Sequence, residues 1–152
     1  MTTTPTAPTP TANGRTVALA FFAARAVLEV ALTRHGITYH QSVTLRAVAA
    51  AGGSIARDAL VADVNGSLKT DERVVRGTVD ELTAGELLEE DPADASRLRL
   101  TAAGRDLDET TSAESAEIAA RLYAGIPAED LAVAGRVLTL VTERANAELA
   151  GA

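Results

Sequence analysis

Apolar residues fill almost every position from Thr16 to His35 (TVALAFFAARAVLEVALTRH), and the polar exceptions Arg25, Glu29 and Thr33 fall four apart. That spacing predicts one helix with a narrow polar stripe, capped by Thr16 and ended at Gly36. A helix apolar almost all round is buried on most sides. A chain of 152 residues has little room to bury one by itself. The pattern therefore predicts a subunit interface or, alternatively, a central helix of the fold.

The next segment, GITYHQSVTLRAVAAAGG, carries Thr38 and Gln41 at capping-box spacing. Val43, Leu45, Ala47, Val48 and Ala50 give its helix an apolar side, and Gly52-Gly53 stops it. Ser54-Ile55 reads as a minimal strand. ARDALVADV follows as a short helix with Leu60 and Val64 four apart, closed by the turn signal Asn65-Gly66. In KTDERVVRGTVDELTAGEL, Thr70 is the expected cap and Asp71 and Glu72 suit the first turn. Val75, Val79 and Leu82 face the core, while Arg73, Arg76 and Asp80 lie on the other side. Gly77 in mid-helix costs about 1 kcal/mol relative to alanine and would permit close approach of another backbone.

The period then changes. Leu87-Leu88 starts a strand, Asp91-Pro92 marks a turn, and Arg97-Leu98-Arg99-Leu100 alternates in the manner of a strand with one wet face. Thr101 caps a further helix that is polar through DETTSAESAE. Pro127 opens the last one, in which Leu131, Ala134, Leu138, Val141 and Ala145 recur at helical steps, with Val133, Val137 and Leu140 widening the face. The N-terminal MTTTPTAPTPTANG has no large apolar residue beyond Met1 and reads as a disordered tail over residues 1–14.

Composition narrows the chemistry. Alanine dominates, aromatics make up 3%, and cysteine is absent, which excludes disulfides, thiol catalysis and thiolate zinc sites. His35 and His40 lie five apart across a glycine, so no metal site is expected. There is no nucleophile–base constellation and no glycine-rich phosphate loop, so neither an enzyme nor a cofactor is expected. The longest apolar run, Val17 to Ala24, is too short to span a bilayer, and no secretion signal is evident. No membrane partner and a cytoplasmic location are therefore expected. The net charge of −7 argues against broad nucleic-acid affinity.

Helix, turn, helix and hairpin in this order are those of a winged helix-turn-helix. The chain resembles the MarR family of bacterial transcription regulators. ITYHQSVTLRAVAAAGG is similar to the family's LTxxQ helix. VDELTAGELLEEDPADASR resembles the end of its recognition helix and its acidic wing, and LTAAGRDL matches its leucine-threonine-x-x-glycine-arginine junction. The resemblance implies a mainly α fold with a small β-hairpin wing. It also implies a single domain over 15–152, with a winged-helix DNA-binding lobe at about 37–100 and a dimerisation lobe at about 15–36 and 102–150.

It further implies a homodimer that binds an inverted repeat in double-stranded DNA as a repressor and that responds to a small aromatic or anionic ligand. Arg73 and Arg76 would reach bases or phosphates, Lys69 and Thr70 would meet phosphate at the helix N-terminus, and Arg57 is a further phosphate candidate. Arg97 and Arg99 would face outward from the wing, with Leu98 and Leu100 pinning it. Arg34, His35, Tyr39, His40 and Arg46 would form a polar ligand pocket.

Three features depart from the family pattern. The wing lacks an arginine pair soon after its second aspartate, the turn NGSLKTDE looks long, and residues 46–105 carry eight basic against eleven acidic side chains. The alternative is a winged-helix dimer that has lost DNA binding and acts as a ligand- or protein-binding module.

Overall fold

The computed structural model describes residues 8–152, so residues 1–7 of the expected tail lie outside the described residues. Residues 8–13 form neither helix nor strand. The first helix, α1 (Gly14–Arg34), starts earlier than its apolar pattern suggests. Its cap is Asn13, not Thr16: the Asn13 side chain accepts from the Thr16 N–H at 3.0 Å, and Thr16 Oγ1 accepts from the Asn13 N–H at 2.9 Å. Thr16 is the far side of a reciprocal capping box, which satisfies two donors where one cap would satisfy one. By length and composition alone α1 is long and apolar enough to cross a membrane, although its longest uninterrupted apolar run remains Val17 to Ala24.

The chain separates into two compact units, Met1–Ile118 and Ala119–Ala152. In the first, α2 (Tyr39–Ala50) opens with the expected capping box of Thr38 and Gln41. β1 (Ser54–Ala56) follows, then α3 (Arg57–Leu68) and α4 (Glu72–Ala84). β2 (Leu88–Asp91) and β3 (Asp94–Leu100) form the hairpin, and α5 (Ala102–Leu122) begins directly after it. The sheet is antiparallel in the order β1-β3-β2, with Ile55 opposite Leu98 and Glu89 opposite Arg99. β3 starts at Asp94, three residues before its charged–apolar alternation begins.

Leu45, Val48, Leu60, Val64, Val75, Val79, Leu82, Leu88 and Leu98 make one buried core shared by α2, α3, α4 and the sheet. Leucine and valine fill it, as the scarcity of aromatics requires. Asn65-Gly66 does not turn the chain. α3 continues through both to Leu68, and the turn is only Lys69 to Asp71, with Lys69 left-handed at φ 51°. Packing of Leu68 against the core outweighs the helix cost of one glycine, and the inter-helix turn is short.

In the second unit α6 (Ala128–Ala150) is capped at Pro127 and has no buried residue. Val133, Val137, Leu138, Leu140 and Val141 are all exposed. On α1, Leu19, Phe21, Phe22, Val27 and Val30 are likewise exposed.

Candidate nucleic-acid interface

α4 is sharply two-sided. Val75, Thr78, Val79 and Leu82 are buried, whereas Arg73, Arg76, Gly77 and Asp80 are exposed. The inward set fixes which face is left for a partner. Its N-cap is Asp71, not Thr70: the Asp71 carboxylate accepts from the Arg73 N–H at 2.7 Å. An aspartate suits this position better than a threonine because its full negative charge faces the positive end of the helix. A phosphate at this terminus would therefore meet a carboxylate already seated there, and Lys69 and Thr70 lie before the cap rather than at it.

The cations expected at the interface fall into two groups. Arg76 donates from both Nε and Nη2 to Glu72 Oε1, at 3.0 and 2.7 Å, and its Nη2 lies 3.5 Å from Asp58 Oδ1. The hydrogen bond it donates to the Glu72 carboxylate holds the Arg76 guanidinium above its ordinary pKa. Arg57 pairs with Asp80 across α3 and α4 at 3.7 Å. Arg99 pairs with Glu89 on the neighbouring strand at 2.7 Å, and Arg97 donates to Ser54 Oγ and the Ser54 carbonyl at 3.2 and 3.1 Å. Arg73 and Lys69 form no ion pair with any described residue.

The wing corrects the picture of two free arginines. Leu98 and Leu100 are buried as expected, so Arg97 and Arg99 do share the opposite face. Both are half-buried there and bonded to β1 and β2, because a three-stranded sheet gives them cross-strand partners that a lone hairpin lacks. The tip is acidic. Asp91 lies below its ordinary carboxylate pKa, chiefly because the Ala93 N–H and the Ser54 hydroxyl donate to it. Asp94 is lowered chiefly by the Ser96 hydroxyl and the Ser96 N–H.

The wing is joined tightly to α5. Thr101 Oγ1 donates to the Glu86 carbonyl at 2.7 Å and accepts from the Gly104 N–H at 3.0 Å, and the Thr101 N–H reaches the Leu87 carbonyl at 3.2 Å. A Cβ at Gly104 would fall 2.0 Å from the Leu87 carbonyl oxygen. The threonine and glycine of the LTAAGRDL junction thus lock hairpin and helix together.

Of the five expected pocket residues, the structure brings two together. A cleft of about 290 Å³ is lined by Leu28, Tyr39, Ser42, Val43, Arg46, Ala47, Ala50, Asp63 and Ser67. Tyr39 and Arg46 are in it; Arg34, His35 and His40 are not. His35 instead meets Glu114 at 3.1 Å, and Arg34 lies exposed in the last turn of α1. The helix that starts at Tyr39 turns Tyr39, Val43 and Arg46 to one side, which separates them from His35 and His40. Arg25 packs its guanidinium 4.5 Å from the centre of the Tyr39 ring. Sequence reasoning missed Leu28, Asp63 and Ser67, which come from two other helices and carry no local signal. It also missed the Glu72–Arg76 pair, although its i, i+4 spacing was there to read. Among the described residues no group of three or more His, Cys, Asp or Glu side chains is placed to hold a metal.

No protein-family model and no curated protein matches the chain. Solved structures match it over most of its length. BpsR of Bordetella bronchiseptica, whose DNA binding is regulated by 6-hydroxynicotinic acid, is 26% identical. The match covers 84% of this chain and 97% of that one, with a TM-score of 0.65. CouR of Rhodococcus jostii, bound to p-coumaroyl-CoA, is 20% identical over 85% and 90% of the two chains, with a TM-score of 0.73. A MarR variant of E. coli complexed with operator DNA is 20% identical over 84% and 91%, with a TM-score of 0.69. The resemblance is to regulators rather than to catalysts.

Proposed function

We propose a function from one premise: the chain has the winged-helix fold of the MarR-family transcription regulators. The chain is a sequence-specific transcription regulator that binds double-stranded DNA as a homodimer, acts as a repressor on an inverted-repeat operator, and works in the cytoplasm. The observation that carries this reading is α4, whose inward face is locked in the core while Arg73 and Arg76 project from the other. A helix so anchored fits the major groove, and a two-fold dimer would set two of them about 34 Å apart on one face of the duplex.

The exposed apolar faces of α1 and of α6, each taken by itself, support the dimer, because a helix face that leaves several large apolar side chains open marks an interaction site. The α1 sequence carries the Arg25–Glu29 ion pair at 2.9 Å, which suits a helix covered by protein better than one in lipid. Residues 37–100 would then serve as the DNA-binding lobe, and 15–36 with 102–150 as the dimerisation lobe. The rigid junction at Thr101 and Gly104 would couple the wing to the second of these.

The cleft supports ligand control. An aromatic ring at Tyr39 and a cation at Arg46 fit a small aromatic acid, and the similar folds of BpsR, regulated by 6-hydroxynicotinic acid, and CouR, bound to p-coumaroyl-CoA, support that reading. Binding there would shift the spacing of the two recognition helices.

A second reading, a winged-helix dimer without DNA binding, draws on the carboxylates that hold Arg57, Arg76 and Arg99. Selection from random duplexes at two salt concentrations separates the two. An inverted-repeat consensus for the wild type, weakened by about 1–3 kcal/mol in Arg73→Ala and lost in the Arg73→Ala/Arg76→Ala double variant, supports the regulator. No enriched sequence at low salt supports the second reading.

A further inference from the structure

Between residues 31 and 121, Val74 is the one large hydrophobic side chain that is exposed, at 43%. Among the described residues every other exposed large hydrophobic lies on α1 or from Leu122 onward. Val74 is not scattered at random within that span. It stands in the first turn of α4, three residues after the Asp71 cap, directly after Arg73. The first turn of a recognition helix is the part that meets base edges.

The core does not account for it. Val75, Thr78, Val79 and Leu82 supply the inward stripe, and Val74 falls outside it. Helix propensity does not account for it either, since alanine, lysine or glutamate would each suit an exposed position better than a β-branched residue. A β-branched side chain does offer something else: its χ1 is stiff, so its two methyl groups are held in place. Among the unmodified bases, the major-groove edges offer one apolar group, the C5 methyl of thymine.

We infer that Val74 reads a thymine methyl, in the same half-site as a guanine read by Arg73. This rests on the DNA-binding reading and adds a base identity to it. Arg73 has no carboxylate partner among the described residues and is free to fork onto guanine O6 and N7. Arg76, held by Glu72 and Asp58, is less available for that role. Base discrimination therefore falls on two consecutive side chains, one charged and one apolar.

The test uses the duplex enriched from the random selection, with its thymines replaced one at a time by deoxyuridine. That change removes only the methyl and leaves every hydrogen-bonding group. Burying one methyl-sized group is worth about fourfold in affinity. One thymine per half-site is expected to lose about fourfold on replacement with the wild-type protein. Val74→Ala is expected to bind the thymine and deoxyuridine duplexes equally at that position, with an unchanged melting temperature. The inference is overturned if every thymine tolerates deoxyuridine, or if Val74→Ala keeps the full discrimination. A consensus without methyl dependence refutes the inference alone, whereas no consensus at any salt refutes it together with the DNA-binding reading.

Discussion

Two glycine-to-alanine substitutions in helices of this protein are expected to have opposite signs. At Gly104 the new Cβ would sit 2.0 Å from the Leu87 carbonyl oxygen and 2.9 Å from its carbonyl carbon. These are backbone atoms, so relief requires moving the start of the hairpin away from α5 by about 1 Å or more. The same Leu87 oxygen accepts from the Thr101 N–H, and Thr101 Oγ1 ties Glu86 to Gly104. The strain of overpacking is about 1–3 kcal/mol. Weakening one or two hydrogen bonds adds about 1 kcal/mol each, and the helix preference of alanine returns about 1 kcal/mol. The net loss is about 1–4 kcal/mol, or a melting point lower by about 3–12 °C for a chain of this size. At Gly77 nothing lies within 4 Å of the added Cβ, so alanine there is expected to stabilise by about 1 kcal/mol. Urea titrations at one fixed protein concentration, followed by circular dichroism, read both. Equal shifts for the two variants, or a Gly104→Ala protein as stable as wild type, would show that α5 and the hairpin are not locked as described.

Glu72→Gln is expected to release Arg76 for phosphate and to steepen the dependence of log affinity on log salt by about 0.9 for random duplex DNA; an unchanged slope would mean that the pair does not restrain Arg76. Phe22→Asp and Val141→Asp are each expected to halve the particle mass seen by light scattering, and a wild-type protein that already scatters as one chain would remove the dimer. Asp91 and Asp94 have folded pKa values below the ordinary 3.8, so their contribution to the wing tip is complete above that value and is lost as pH falls through the lower folded values. Carboxyl NMR titration should place both midpoints below 3.8, and a midpoint at or above it contradicts the hydrogen bonds drawn to Ala93, Ser54 and Ser96.

Periodicity made the helices and the hairpin legible because each buries one face. Leu98 and Leu100 inward with Arg97 and Arg99 opposite could be read from four letters, and so could the inward set of α4. Local chemistry misled where two signals competed. Asn65-Gly66 looks like a turn, yet the burial of Leu68 just beyond it carries α3 onward. Thr70 and Thr16 look like caps, yet Asp71 and Asn13 stand at the true helix starts. The candidate site was less legible than the fold. Which carboxylate holds which arginine depends on Asp58, Asp80 and Glu89 arriving from other elements, and no spacing along the chain encodes that. The same is true of the cleft, where Tyr39 and Arg46 share a helix while Leu28 and Asp63 come from α1 and α3.

The pairing of the arginines bears on how an acidic lobe could still engage a polyanion. Exposed ion pairs are worth about 0–1 kcal/mol each, so exchanging a carboxylate partner for a phosphate costs little in itself. The cost lies in the carboxylate left beside the phosphate. Asp58 and Asp80 have side chains 89% and 77% exposed and are free to swing into solvent when their arginines are taken. Glu89 is only 46% exposed, and Arg99 opposite it is anchored in the sheet register. The cations of α3 and α4 are therefore exchangeable, while those of the wing are structural. Exchange succeeds only where the duplex offers enough new contacts to outweigh the repulsion of the displaced carboxylates. On the proposed reading, random sequence would offer little beyond phosphate, whereas a matching half-site would add base contacts at Arg73 and its neighbours. On that reading, self-pairing on this face would lower affinity for every sequence alike, and only a matching half-site would supply the base contacts that offset it, so an acidic reading surface would give up strength and keep selectivity.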